Sequence, residues 1–410
     1  MTPGEVSVRC CIAGGGPAGM MLGLLLARAG VAVLVLEKHA DFLRDFRGDT
    51  IHPSTIEIMY ELGLLGEFLE QPHQEVRTLG AQIGDDFVRV ADFSHLPTHC
   101  RFIALMPQWD FLNFIAGQAK RYPAFQLRME ADVPALIEEG GRVAGARAET
   151  PEGGLTVHAD LVVGADGRHS TVRASAGLET IDLGAPMDVL WMRLSRRPTD
   201  PEQTLGRIDA GRMLVMLNRE DYWQCAYVIE KGGFERVHQA GLASFREEIV
   251  RLAPHLRDRV GELGDWSDVK LLTVAVDRLR SWHRPGLLCI GDAAHAMSPI
   301  GGVGINLAIQ DAVAAANILA PCFLRGEISD EDLHAVQRRR EFPTRAMQAV
   351  QVFMQNRVIR RVLESKEKLS PPLPVRLLAQ YPVLQRLPAR LIGSDFARSM
   401  SGCHGSKSVG

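Results

Sequence analysis

Three glycines near the start of the chain, Gly14, Gly16 and Gly19, stand in the spacing G-x-G-x-x-G, and a carboxylate, Glu37, follows roughly 20 residues on. That set can hold a dinucleotide. Gly14 permits the tight turn, Gly16 lets a pyrophosphate approach the backbone, and Gly19 lets a helix pack on the strand beneath it. Ala18 lies in the same turn. The helix that starts there aims free N–H groups and its positive dipole end at the phosphates. Glu37, with Lys38 beside it, is placed for the ribose hydroxyls. An acidic residue there favours an unphosphorylated ribose, so FAD or NAD rather than NADP in this site. Two further turns carry carboxylates, Asp166-Gly167 and Gly291-Asp292. Asp292 can accept hydrogen bonds from a polyol chain such as ribityl. Beyond it a glycine-rich loop, 299–304, runs into a helix whose first N–H groups, at Gly304, Ile305 and Asn306, can stabilise negative charge on a flavin ring.

These groups need elements to hold them. Residues 6–13 read as a strand, 20–29 as a helix stopped by Gly30, and 31–36 as a buried parallel strand of valine and leucine. Residues 161–163 and 287–290 are strand-like runs directly before the two later turns. Between them, from about 183 to 277, "MDVLWMRLSR", "GRMLVMLNRE", "DYWQCAYVIEKGG" and "VKLLTVAVDRL" show strand patterning, with a helical interlude over 234–263. The expected fold is α/β, a Rossmann-like FAD-binding domain with an inserted antiparallel sheet as substrate domain and a C-terminal helical segment. The expected division is 1–180 and 281–330 for cofactor binding, 181–280 for the sheet, 331–400 for the helices and 401–410 as a disordered tail. Trp191, Arg193, Met213, Met216, Trp223 and Tyr227 are the candidates for a substrate floor, with sheet core as the alternative reading of each.

The 410 residues are 46% hydrophobic and carry a formal net charge of -3. That gives a sizeable core and no basic excess for nucleic acid. Seven cysteines, an odd number without a C-x-x-C pair, argue against a disulfide framework or zinc site and suit a reducing cytoplasm. No signal peptide is recognisable, and the longest apolar runs fall far short of a bilayer span, so no stable membrane insertion is expected. Toward the C-terminus Met347, Val350, Met354, Val358 and Val362 share a helix face, "SPPLP" breaks that helix, and 377–393 is again amphipathic. These helices could cover the cofactor domain, form a homodimer contact or touch lipid.

The three motifs, in this order, resemble the group A FAD-dependent aromatic hydroxylases, the 4-hydroxybenzoate hydroxylase-like family. The matches are Gly14-x-Gly16-x-x-Gly19 with Glu37, then DGRHSTVR from Asp166, then GDAAH from Gly291 with Pro299, Gly304 and Asn306. The resemblance implies FAD, reduced by NADH or NADPH, and O₂ adding at flavin C4a to give a hydroperoxide that hydroxylates an aromatic or polyketide-like small molecule. It also implies Arg47 near the FAD, Asp49, Thr50 and Pro299 around the flavin ring, Gln108 at the ribityl region and the Val133 backbone at adenine. Arg47 as a surface ion pair and Gln108 as a helix cap are the competing readings. No second G-x-G-x-x-G occurs, which agrees with a reductant that binds transiently. Tyr227 is the candidate for activating a phenol. His295 is read as bracing its loop. A reductase of isoprenoid type, a flavin halogenase (though no W-x-W-x-I-P segment occurs) and a non-catalytic flavin sensor are the alternatives.

Overall fold

The computed structural model describes residues 4–43, 50–201 and 205–393. Its first sheet runs in the order His283–Arg284, Leu287–Cys289, Gly153–Gly164, Gly4–Ala13, Val33–Leu36, Phe125–Arg128, with Arg142–Thr150 also pairing with Gly153–Gly164 and Asp132–Glu139 pairing with Arg142–Thr150. The central strands pair in parallel. Ala13 sits opposite both Leu36 and Gly164, and Gly164 opposite Cys289. All four residues of Val33–Leu36 are buried, as a strand covered on both faces requires. The helix Pro17–Arg28 starts with proline in its first turn and packs against the long helix Gly304–Arg325. This register sets the function of the domain. The carboxyl ends of four strands line up, so Gly14, Glu37, Asp166 and Asp292 emerge at one sheet edge although they are far apart in sequence.

A second sheet stands beyond that edge in the order Lys270–Leu272, Met187–Ser195, Tyr222–Glu230, Arg212–Asn218, Leu205–Asp209, Thr78–Ile83, Asp86–Asp92. It differs from the expected insert in two ways. Two strands come from residues 78–92, ahead of the Asp166 turn. One pairing, Leu205–Asp209 with Thr78–Ile83, is parallel. One face packs Leu190, Met192, Leu194, Trp223, Cys225 and Tyr227 against Phe245 and Ile249 of the helix Leu242–Leu252. Side chains alternate across a strand, so the intervening residues face the other way, toward the first domain.

The described residues end with Asp330–Met354, a π-helical turn Gln355–Ile359, and the helices Arg360–Glu364, Leu373–Gln380 and Arg386–Gly393. Ser329 and Asp332 form a reciprocal capping box at the start of the longest of these. Among the described residues one stretch, Ile300–Arg325, is long and apolar enough to cross a membrane. It is a core helix here, with 78% of its apolar window buried inside the fold.

Candidate active site

The aligned strand ends open into a cavity of about 980 Å³. Its first half is polar and glycine-rich. Gly14, Gly16, Ala18, Glu37, Lys38, Gln108, Val133, Asp166, Asp292, Gly304 and Ile305 all line it. Gly14 has φ +105°, and a Cβ there would lie 2.3 Å from the Ala165 carbonyl oxygen, so only glycine fits this turn. Gly16 caps the helix Pro17–Arg28 with no side chain on its first N–H groups and no acid in the first turn. A Cβ on Gly16 would meet only the Ala165 oxygen, at 4.0 Å. The helix end therefore presents open donors to open space, a site for a phosphate. Gly19 lies beneath the cavity, where a Cβ would be 2.0 Å from the Gly14 oxygen. The buried Glu37 carboxylate is fixed by the N–H groups of Gly15 (2.8 Å) and His39 (3.1 Å). Gln108 opens the helix Gln108–Ala119, whose N-cap is Pro107, so it faces the cavity without capping. Thr171 Oγ1 donates to the Val133 carbonyl (3.0 Å).

Two buried polar atoms in this half, Arg168 Nε and Asp166 Oδ1, have no hydrogen-bond partner within the protein. Arg168 Nη2 lies 3.5 Å from Asp292 Oδ2. Buried polar atoms without partners carry a large desolvation cost, and these border the same cavity. Glycine cradle, bare helix end, oriented carboxylate and these atoms together fit a long dinucleotide such as FAD.

The wall opposite is held by Asn306. Its Nδ2 donates to the carbonyls of Thr50 (3.0 Å) and Gly302 (3.2 Å), while its Oδ1 accepts from His52 N and Thr55 Oγ1, both at 2.8 Å. Thr50 Oγ1 donates to the Gly302 carbonyl (2.9 Å). Asn306 is thus a buried tie behind the wall, while Thr50 and Pro299 face the cavity. Arg47 and Asp49 lie outside the described residues. Behind the Asp292 turn, Asp311 accepts from the Gly291 N–H and from the side chains of His295 and Arg340, all buried. Burial pushes the Asp311 carboxyl up, but the His295 and Arg340 charges outweigh it and hold it below the usual carboxylate range. His295 stands in that network, away from the cavity.

The second half of the cavity is apolar. Val189, Trp191, Met213, Val215, Leu217, Ala226 and Val228 come from the sheet, Leu79, Ile103 and Leu105 from the earlier strands, and Met354, Val358, Ile359 and Val362 from the C-terminal helix. Trp191 and Met213 stand where expected. Four candidates do not. Tyr227 alternates with Ala226 and Val228, so it points to the opposite face, edge-on to Phe245, where burial pushes its phenol up to about 12. Trp223 is fully buried on that same face and donates to Asp200 (2.9 Å). Arg193 shares the face of Trp191 but lies past the cavity, stacked over the Tyr222 ring at 3.8 Å. Met216 is likewise core. The small residues missed from sequence, Ala226 and Val228, were findable from register: Trp191 pairs with Ala226, and Val189 with Val228.

Comparison with known proteins agrees with this geometry. A family described as "FAD binding domain" matches residues 7–351. The chain is 36% identical over 353 residues to the 6-methylpretetramide 4-monooxygenase of Streptomyces rimosus, covering 85% of this chain and 84% of that protein. It is 30% identical over 315 residues to a 12-dehydrotetracycline 5-monooxygenase/anhydrotetracycline 6-monooxygenase of Streptomyces rimosus subsp. rimosus, covering 74% and 60%. The solved p-nitrophenol 4-monooxygenase from Pseudomonas putida shares the fold with a TM-score of 0.75 at 19% identity, over 96% of this chain and 100% of that one. The chain belongs to the group A aromatic hydroxylase-like family of FAD-dependent monooxygenases.

Proposed function

We propose that the protein hydroxylates a polycyclic aromatic, polyketide-like molecule, using O₂ with NADH or NADPH as reductant. The observation that carries this reading is the apolar chamber continuous with the nucleotide cradle: its sheet wall of Val189, Trp191, Met213, Val215, Ala226 and Val228 bears no ionisable group. Flat apolar rings suit such a wall. Relatives whose names specify tetracyclic substrates support it.

Bound FAD would supply the electron transfer and the activation of O₂. The chain's own residues do the rest. Gly14, Gly16 and the bare end of the helix Pro17–Arg28 would hold the pyrophosphate of FAD, Glu37 its ribose and Asp292 its ribityl chain. The helix Gly304–Arg325 turns its positive end, at Gly304 and Ile305, toward the ring end of the site. The apolar wall excludes water from the reacting atoms. Thr50 and Pro299, which line the cavity between its polar and apolar halves, would shape the space where the substrate meets the flavin. Tyr227, turned to the far face of the sheet, does not reach a phenolic substrate in the chamber. A cytoplasmic location belongs to the same reading.

The test supplies FAD-loaded protein with NADH or NADPH, labelled O₂ and a panel that includes anhydrotetracycline and simple phenols. Incorporation of one labelled oxygen atom into a polycyclic member supports the reading. Turnover confined to small charged phenols, or ligand-independent reductant oxidation throughout, overturns it.

A further inference from the structure

We propose that Gln351, on the helix Asp330–Met354, is a positioning residue for oxygen transfer: its amide holds the Ser298–Ile300 backbone in the register that presents Pro299 to the cavity. Gln351 Oε1 accepts from the Ser298 N–H (3.1 Å), and its Nε2 donates to the carbonyls of Ser298 and Ile300, each at 2.9 Å. One side chain thus serves three backbone groups of a segment that belongs to no sheet ladder. The same helix and the π-helical turn that continues it repeat the device. Gln348 Nε2 donates to the carbonyls of Ala296 (3.2 Å) and Asp277 (2.7 Å), and Gln355 Nε2 donates to Ser298 Oγ (2.7 Å).

All three glutamines are essentially buried, at 0%, 2% and 0% exposure for Gln348, Gln351 and Gln355. Burying an amide is unfavourable unless its hydrogen bonds are met. Apolar side chains would pack this helix more simply, so the amides point to a demand from the loop. Thr50 and Asn306 tie its far end at the Gly302 carbonyl, but Gly301 and Gly302 take φ of +77° and +62° and the Ser298–Ile300 end depends on the glutamines. One turn further, Met354 and Val358 of the same helical run line the cavity. The C-terminal helix is therefore part of the site: it walls the apolar chamber and sets the loop between chamber and cofactor.

Only a primary amide offers an acceptor and a donor side by side here. A carboxylate at 351 would face two carbonyl oxygens, whereas its protonated form recovers a donor. The test compares FAD-loaded parent, Gln351→Glu and Gln351→Met. It reads the absorption envelope of the bound flavin and the H₂O₂ released per NADH or NADPH with anhydrotetracycline present. In Q351E the flavin envelope should shift and H₂O₂ yield rise severalfold at neutral pH. Both should return toward the parent on acidification, at a pH above the ~4.3 of an ordinary glutamate, since burial raises that value. Q351M should show the defects without the pH dependence. Should Q351E fail to fold, Q351M against parent carries the test. Parental spectra and H₂O₂ yields in the folded variants, or equal pH-independent losses in Q351E and Q351M, overturn the proposal. The H₂O₂ reading rests on the proposed function but the flavin spectrum does not. A parent that oxidises no reductant therefore defeats the function alone, and unshifted variant spectra defeat the role of Gln351 alone.

Discussion

Replacing Asp311 with alanine removes the anion on which three parts of the fold converge. The Gly291 N–H (3.1 Å to Oδ2) loses its acceptor, which by itself costs about 1–3 kcal/mol. Arg340, with 0% exposure, loses the carboxylate 2.8 Å from its Nε. Breaking a buried ion pair by deleting one partner costs about 3–5 kcal/mol. The two figures describe overlapping parts of one network and do not add, so the expected loss is about 3–5 kcal/mol. That is a large share of the roughly 5–15 kcal/mol that holds a typical protein folded. Asp311→Asn keeps one oxygen as acceptor for Gly291, but it loses the charge and sets an N–H₂ donor against the Arg340 Nε donor, so it too should lose stability while retaining the Gly291 bond. The assay is urea unfolding of the FAD-loaded proteins, followed by tryptophan fluorescence and by flavin release. pH supplies a second arm. The folded Asp311 carboxyl lies below its unfolded value, so its contribution is present above about pH 3.9 and is lost as pH falls through the folded value. Asp311→Asn should lack that component of acid unfolding. An Asp311→Ala midpoint within about 0.5 kcal/mol of the parent, with flavin retained, would refute the reasoning.

Asp292→Ala removes the carboxylate facing the cradle and should weaken FAD by about 1–3 kcal/mol, read by fluorescence titration of the apoprotein. Tyr227→Phe should leave kcat/KM within about twofold, because the phenol lies on the far side of the sheet; a large loss of turnover would restore it to the chemistry. Trp223→Phe should cost about 1–3 kcal/mol of stability by removing the donor to the buried Asp200, with FAD affinity unchanged. Burial pushes His52 down to about 4. Its unfolded form binds protons first as pH falls from about 6.5, so it should make stability drop by up to about 3 kcal/mol between there and pH 4, a slope that His52→Gln should flatten in pH-dependent unfolding.

The cofactor half of the site was legible because its chemistry is local. A glycine that must turn, a helix that must start and a carboxylate that must end a strand stand within a few residues of each other, as Gly14, Pro17 and Glu37 do. The substrate half was not. In the strand Tyr222–Glu230 all residues from Trp223 to Ile229 are buried, so the alternation that separates two faces vanishes. Bulk then misleads. Trp223 and Tyr227 fill space against a helix, while the cavity side takes Ala226 and Val228 because a cavity needs room. The strands over 78–92 join their sheet through a pairing between Gly80 and Leu205, which no local pattern announces. Gln348, Gln351 and Gln355 carry no local signal, because the loop groups they serve lie more than 50 residues earlier in the chain.

The strand Thr78–Ile83 also bears on how such enzymes can be recombined. Because it is hydrogen-bonded beside Leu205–Asp209, the chamber wall is assembled from two lengths of chain separated by the Asp166 motif. A chimera that borrows only the contiguous span between the Asp166 and Asp292 turns from a relative would splice a foreign edge onto a native neighbour. Transplanting substrate preference therefore calls for exchanging both pieces together, with the helical run that carries Met354 and Val358 as a third.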